Sequence, residues 1–115
     1  MRLAYARHMA ERASIVREQL FGRQRDSALV WFEIEQAGLR LAFGTFVQMG
    51  RSFLVRKLAA ALWLFWIFRR SYRVGRRWLK VALELFDPTE PDDLEQELLV
   101  ASGLLELYSG NRAAA

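Results

Sequence analysis

Residue types that build chemical sites are scarce in this sequence. It contains no Cys and a single His, His8. Disulfide bonds and cysteine-ligated zinc or iron–sulfur sites are therefore excluded, and a Ser–His–Asp triad or a histidine-rich metal site has almost no material. His8 stands among charged neighbours and is predicted to lie at the surface.

Phosphate loops and paired catalytic carboxylates are missing as well. The glycines match neither GxGxxG nor GxxxxGK[ST], and the acidic stretch Asp87–Glu97 lacks the spacing and the central Gly of an EF-hand loop. Glu33 and Glu35 are two residues apart, so they do not share a helix face. With no metal or cofactor site indicated, the sequence predicts a protein that is not an enzyme and that acts by binding.

Proline and glycine are too few to interrupt the chain often. The 115 residues include two Pro and seven Gly, whereas 53% are hydrophobic. The sequence predicts one all-α domain over residues 1–110 with about four helices, followed by a short flexible tail at 111–115. Breaks between the helices are indicated at Gly22–Ser27, Gly50–Ser52, Asp87–Pro91 and Gly110.

The first two segments have the apolar periodicity of helices. Leu3–Phe21 places small and aliphatic residues at helical spacing, with polar residues on the other side. Ala28–Met49 is mostly apolar and contains Gly38 and Gly44, each of which costs about 1 kcal/mol in a helix relative to Ala. These glycines indicate close backbone packing, or a break near Gly44.

The third segment, Ser52–Phe86, is predicted as a long helix, either continuous with the second or beginning at Ser52. Its centre, Leu58–Phe68, is apolar on all sides. Eleven helical residues span roughly 16 Å, against about 30 Å for the hydrocarbon core of a bilayer. An element lying in the membrane surface is therefore favoured over a true span, and the buried centre of a bundle is the structural alternative.

Acidic residues are absent from residues 51–80, which contain nine Lys and Arg. On a continuous helix, six of these cations fall within about 120° of arc. Their like-charge pairs at i,i+3 and i,i+4 each cost about 0.2–0.5 kcal/mol, which indicates an anionic partner. The predicted membrane- or anion-binding residues are Arg69, Arg70, Arg73, Arg76, Arg77 and Lys80.

Bulky apolar side chains accompany this cationic stripe. A basic stripe beside an apolar, aromatic face is typical of a helix at a membrane surface, and Trp suits the lipid–water interface. The residues predicted to insert into a bilayer, or to pack in a core, are Leu62, Trp63, Phe65, Trp66, Phe68 and Trp78.

The end of the chain has the opposite charge. Residues 1–80 carry 16 Lys and Arg against 5 Asp and Glu, whereas residues 81–115 carry 1 against 8. A fourth helix, about Pro91–Tyr108, is predicted to fold back against the third across a short connection. This would neutralise the distal stripe internally, without an external ligand. The acids expected beside Arg76, Arg77 and Lys80 are Asp92, Asp93, Glu95 and Glu97.

Three functions are compatible with this sequence. The favoured one is a membrane-associated protein, peripheral or monotopic or an accessory subunit of a membrane complex, with its basic face toward the anionic cytoplasmic leaflet. The second is a soluble bundle that binds nucleic acid through the same stripe; the large apolar flank and the lack of a DNA-reading motif weigh against it. The third is an oligomeric scaffold or adaptor that buries apolar surface against copies of itself or against another protein.

Overall fold

Six α-helices make up the described part of the chain. The computed structural model describes residues 2–85 and 94–114, with side chains as far as residue 109. The all-α prediction is confirmed, and the predicted number of helices, about four, is too low. The helices are α1 (Arg2–Glu18), extended by a 3₁₀-helix (Gln19–Phe21), then α2 (Arg25–Ile34), α3 (Gln36–Gln48), α4 (Ser52–Phe68), α5 (Tyr72–Glu84) and α6 (Glu95–Ala114).

The predicted long third helix is wrong, because the chain turns between α4 and α5. The backbone N–H of Arg70 donates to the carbonyl oxygen of Ile67 at 3.2 Å, and that of Ser71 donates to the carbonyl oxygen of Trp66 at 2.8 Å. Arg70 has a φ of 56°. Together these features form a Schellman motif with Arg in the left-handed position that Gly usually occupies.

An equivalent motif ends α3 at Gly50. The N–H of Gly50 donates to Val47 at 3.2 Å, the N–H of Arg51 donates to Phe46 at 2.9 Å, and Gly50 has a φ of 67°. Glycine adopts this conformation without steric cost, so the sequence signal for a break was strong here. The predicted break is confirmed, and α4 is a separate helix that begins at Ser52.

The second predicted segment divides at Glu35, which separates α2 from α3. The alternative break near Gly44 is wrong, because α3 passes through Gly44 without interruption. A Cβ atom built on Gly38 would lie 2.5 Å from Tyr5 Oη of α1, whereas one on Gly44 would meet nothing within 4 Å. Close packing is therefore confirmed at Gly38 and wrong at Gly44.

Helix α4 lies at the centre of the bundle, where it contacts α1, α3, α5 and α6. Its Phe65 ring packs against Phe32 of α2, with centroids 5.3 Å apart. Burial in a core accounts for the all-round apolar composition of Leu58–Phe68. The buried residues of α4 include Val55, Leu58, Ala59, Ala60, Ala61, Leu62, Phe65 and Trp66.

Helix α6 folds back along α5, as predicted. Leu98, Ala101 and Leu105 are buried, and Tyr108 stacks on Tyr72 with ring centroids 6.0 Å apart. The helix continues to Ala114, so its predicted end at about Tyr108 and the predicted break at Gly110 are wrong. The proposed start of this helix, near Pro91, lies outside the described residues.

Three helices meet closely at Gly75 of α5. A Cβ atom at this position would lie 2.9 Å from Leu105 Cδ1 of α6 and 2.9 Å from Trp66 Cε3 of α4. Both distances are shorter than carbon–carbon van der Waals contact. Only a residue without a Cβ atom lets α5 approach the other two helices this closely.

The buried side chain of Arg56 connects α4 to the end of α5. Arg56 is 3% exposed, and its Nε donates to the carbonyl oxygen of Ala82 at 3.0 Å. Ala82 lies in the last turn of α5, where carbonyl groups have no partner within the helix and where a positive charge is favourable. Arg56 thus fixes the C-terminal end of α5, while the turn at Arg70 fixes its beginning.

Candidate anion-binding surface

The outward side of α5 is cationic. Gly75, Leu79 and Ala82 are buried against the bundle, so the helical period directs Arg73, Arg77 and Lys80 to the opposite side. All three of these residues are exposed. Arg73 and Lys80 are seven positions apart, which corresponds to roughly 10 Å along the helix axis. This cationic face, defined as Arg73, Arg77 and Lys80, is the first element of the candidate site.

Two exposed acids, Glu84 and Glu106, border the same groove as the cationic face. Arg73, Arg77 and Lys80 nevertheless form no ion pair in the described part of the chain. Each neighbouring like-charge pair on a helix costs about 0.2–0.5 kcal/mol. The face has two such pairs and one opposite-charge pair at helical spacing, Lys80 with Glu84, so it keeps an excess of positive charge that an anion would offset.

Arg76 is not part of the cationic face, because its side chain points toward α6. Its Nη1 lies 3.7 Å from Oε1 of Glu106, and both side chains are partly exposed. The two residues border a groove of about 560 Å³ between α5 and α6, into which Arg73, Arg77 and Lys80 also project. The distal cations thus lie beside α6 as expected, and one of them is paired.

Of the four acids predicted to neutralise the stripe, the two that the structure describes form no ion pair with it. Glu97 pairs instead with Arg17 of α1, with 3.0 Å between Oε2 and Nη1. Glu95 is exposed at the start of α6, while Asp92 and Asp93 lie outside the described residues. The register of α6 along α5 places Glu106 next to Arg76.

Arg69 and Arg70 do not belong to a helical stripe. The Schellman motif ends α4 before them, so the single arc of six cations predicted for a continuous helix is wrong. Arg69 Nε lies 2.6 Å from Glu33 Oε1 of α2. Arg70 is exposed and lies three residues before Arg73, the first residue of the cationic face. Both residues extend the positive surface beyond the start of α5.

Exposed aromatic residues accompany these cations at the end of α4. Phe68 is 38% exposed and Phe21 is 59% exposed. The guanidinium carbon of Arg25 lies 4.8 Å from the centroid of the Phe68 ring, and its Nε donates to the carbonyl oxygen of Leu20 at 2.8 Å. Arg25 therefore connects Phe68 to Leu20, the residue before Phe21. We call Phe21, Arg25, Phe68, Arg69 and Arg70 the basic aromatic corner.

The remaining residues predicted to insert or pack lie within the bundle. Leu62, Phe65 and Trp66 are buried in the core, and Trp63 packs against it in a partly buried position. Trp78 of α5 is also partly buried. Of the six side chains in this group, Phe68 is the one exposed at the surface.

Two residues of the basic aromatic corner, and the acid that pairs with Arg69, were not assigned to a site from the sequence. Phe21, Arg25 and Glu33, the partner of Arg69, lie more than thirty residues before α5, and only the tertiary fold brings them near it. Helical spacing alone could have indicated Glu106, because it lies on the same side of the predicted fourth helix as Ser102, four residues earlier. The prediction instead named the denser group of acids at the start of that helix.

Neither a metal site nor a membrane span is found in the described residues. Within 2–85 and 94–114, no three His, Asp or Glu side chains are grouped so that they could hold a metal ion. None of the helices described there combines the length and the apolar composition needed to cross a bilayer.

No protein-family model, curated protein or solved structure matches this chain. Its function is therefore argued from the charge and the geometry of the surface.

Proposed function

We propose that the protein is a non-enzymatic, peripheral membrane-associated protein that binds anionic lipid through α5 and the basic aromatic corner. The observation that carries this proposal is the cationic face, Arg73, Arg77 and Lys80, which is exposed and forms no ion pair among the described residues. An anionic bilayer contributes about 1 kcal/mol for each basic residue near its surface. Three such contributions exceed the cost of holding the like charges together.

The basic aromatic corner favours a lipid surface over other polyanions. Phe21 and Phe68 are exposed beside Arg25, Arg69 and Arg70, and aromatic rings next to cations suit the headgroup region of a bilayer. Insertion is shallow in this proposal, because the apolar side of α5 is already packed against α4 and α6. Binding is then chiefly electrostatic, and salt should reverse it.

Nucleic acid is a second candidate partner, favoured by one specific observation. Much of the apolar flank that weighed against it in the sequence packs against the bundle, with Val74 exposed, so the outward side of α5 is mainly polar and basic. Arg73, Arg77 and Lys80 could contact successive phosphates. Such binding would weaken steeply with salt and would not require Phe21 or Phe68.

Sedimentation with lipid vesicles tests the proposal. Vesicles of phosphatidylcholine alone and of phosphatidylcholine mixed with phosphatidylserine are compared at low and at high salt. The test variant changes Arg73, Arg77 and Lys80 to Gln. The matched control loses the same charge at exposed positions elsewhere, by changing Arg2, Arg7 and Arg12 of α1 to Gln.

We expect the wild type to bind the anionic vesicles at low salt only. The test variant should bind about 100-fold more weakly, since three contributions of about 1 kcal/mol are lost, and the control should retain most of the binding. Equal weakening of both variants, or no binding to anionic vesicles, would overturn the proposal. Binding of duplex DNA in place of vesicles, with the same sensitivity to the test variant, would establish the second candidate.

A further inference from the structure

A second positively charged site lies away from α5, between α1 and the first half of α4. It is an open pocket of about 760 Å³, and its lining includes Leu94 just before α6. Sites for small ligands commonly have volumes of about 300–1,000 Å³. Arg73, Arg77 and Lys80 do not line this pocket, so it is distinct from the surface proposed to bind lipid bilayers.

Four cations line the pocket: Arg7 and Arg17 of α1, Arg51, and Lys57 of α4. Arg17 is paired with Glu97 at 3.0 Å. The other three form no ion pair with any residue that the structure describes. The lining carboxylate of Glu18 is 74% exposed and lies 4.0 Å from Arg17 Nε. The lining therefore carries an excess of positive charge that is not balanced within the described part of the chain.

Apolar side chains complete the lining. Ala60 is buried, Leu54 and Leu94 are partly buried, and Phe53 is 43% exposed. An exposed Phe ring beside a concave apolar wall offers area that a ligand could cover, at about 25 cal/mol for each Å² removed from water. A free inorganic anion would use the cations and leave this apolar wall in contact with water.

We propose that this pocket binds a single-chain amphiphile with an acidic headgroup, a carboxylate or a phosphate, and an acyl chain. The headgroup contacts Arg7, Arg51 and Lys57, and the acyl chain packs against Phe53, Leu54 and Leu94. The first turn of α4 adds positive potential on the same side, because Phe53 and Leu54 lie at its N-terminal end. From Arg7 to Glu18 the pocket follows α1 for roughly 16 Å, which accommodates an extended chain.

Calorimetric titration with four probes tests this inference. The three probes that carry a dodecyl chain are kept below their micelle-forming concentrations. Dodecanoate and dodecyl phosphate carry both features and distinguish the two headgroups. Inorganic phosphate carries the charge alone, and a neutral dodecyl glycoside carries the chain alone. The test variant changes Arg51 and Lys57 to Gln, a second variant changes Phe53 to Ser, and the control changes Arg73 and Arg77 to Gln.

We expect one molecule of dodecanoate or dodecyl phosphate to bind per chain, and inorganic phosphate and the glycoside to bind much more weakly. Charge-assisted contacts are worth about 1.5–3 kcal/mol each, so loss of Arg51 and Lys57 should weaken the anionic amphiphiles at least tenfold. Phe53→Ser should weaken the amphiphiles and leave phosphate unchanged, and the α5 control should bind them like the wild type.

Three results would overturn the inference. The first is that neither anionic amphiphile binds. The second is that inorganic phosphate binds as tightly as dodecyl phosphate, which would leave only an anion site. The third is that the α5 control loses binding as much as the pocket variant does. None of these results decides whether α5 binds vesicles, so the two proposals stand or fall separately. Circular dichroism confirms that each variant is folded.

Discussion

Trp78 of α5 stacks on Phe43 of α3, with ring centroids 4.0 Å apart and an angle of 23° between the ring planes. The same indole meets Trp66 of α4 edge-on at 5.5 Å. A side chain held by both rings in the folded bundle is not available to a bilayer. Trp78 therefore orients the cationic face of α5 by anchoring the opposite flank of the helix.

Replacement of Trp78 should affect stability, whereas replacement of Phe68 should affect binding. Trp78→Ala is expected to lower the free energy of unfolding by about 3 kcal/mol, because it empties a packed aromatic site. Phe68→Ala removes a contact with Arg25 worth about 0.5–1 kcal/mol and an exposed ring of the basic aromatic corner. Urea unfolding and vesicle sedimentation measure the two effects. A stable Trp78→Ala protein that loses vesicle binding would contradict this assignment.

Two glycines should respond in opposite ways to the same substitution. Gly75→Ala places a methyl group 2.9 Å from Leu105 and Trp66, and such overpacking costs about 1–3 kcal/mol. Gly103→Ala meets nothing within 4 Å on α6 and should stabilise the protein by about 1 kcal/mol through helix propensity. Thermal unfolding of both variants checks the prediction. Stabilisation by Gly75→Ala would mean that α5 and α6 lie farther apart than described.

The left-handed conformation of Arg70 predicts an unusual stabilising substitution. A non-glycine residue in this conformation costs about 1–2 kcal/mol. Arg70→Gly should therefore be about 1 kcal/mol more stable than Arg70→Ala, although both variants lose the same charge. Chemical denaturation compares the pair. Equal stability of the two variants would argue that α4 and α5 do not end and begin in a Schellman motif.

Glu106 should oppose the binding of anions at α5. It lies 3.7 Å from Arg76 and borders the groove that Arg73 and Lys80 also line. Glu106→Gln releases Arg76, which should then contribute about 1 kcal/mol and strengthen binding to anionic vesicles about fivefold. Glu11→Gln makes the same change in net charge on an exposed part of α1 and serves as the control. A similar gain in both variants would indicate an effect of net charge alone.

Helical periodicity was sufficient to predict which side of an individual helix is buried. The predicted apolar face of the first segment contains Ala6, Ala10, Ala13 and Val16, and all four are buried. The spacing that places these residues on one side depends only on the helix itself. The fold-back of the last helix was also predictable, since a short connection follows the third segment.

The break at Arg70 and the packing of residues 58–67 into the core were beyond the sequence for physical reasons. A Schellman turn is normally signalled by Gly, as at Gly50, and nothing in the residues around Arg70 marks the left-handed position. An apolar block is equally compatible with a bilayer and with a protein core. Which one covers it depends on α1, α3, α5 and α6, whose positions no local pattern determines.

During synthesis α1 is complete before α4, one of the helices that it packs against, has been made. The apolar side of α1 packs against α3 and α4, and Phe68 follows Glu18 by fifty residues. At roughly 5–20 residues per second, a ribosome needs about 3–10 s to complete that interval. Met9 and Val16, buried in the folded protein, should stay open to chaperones meanwhile. Proteolysis of stalled nascent chains should show partial protection of α1 once α3 has emerged and full protection only after α4 has emerged, so the central helix sets the moment at which α1 is completely covered.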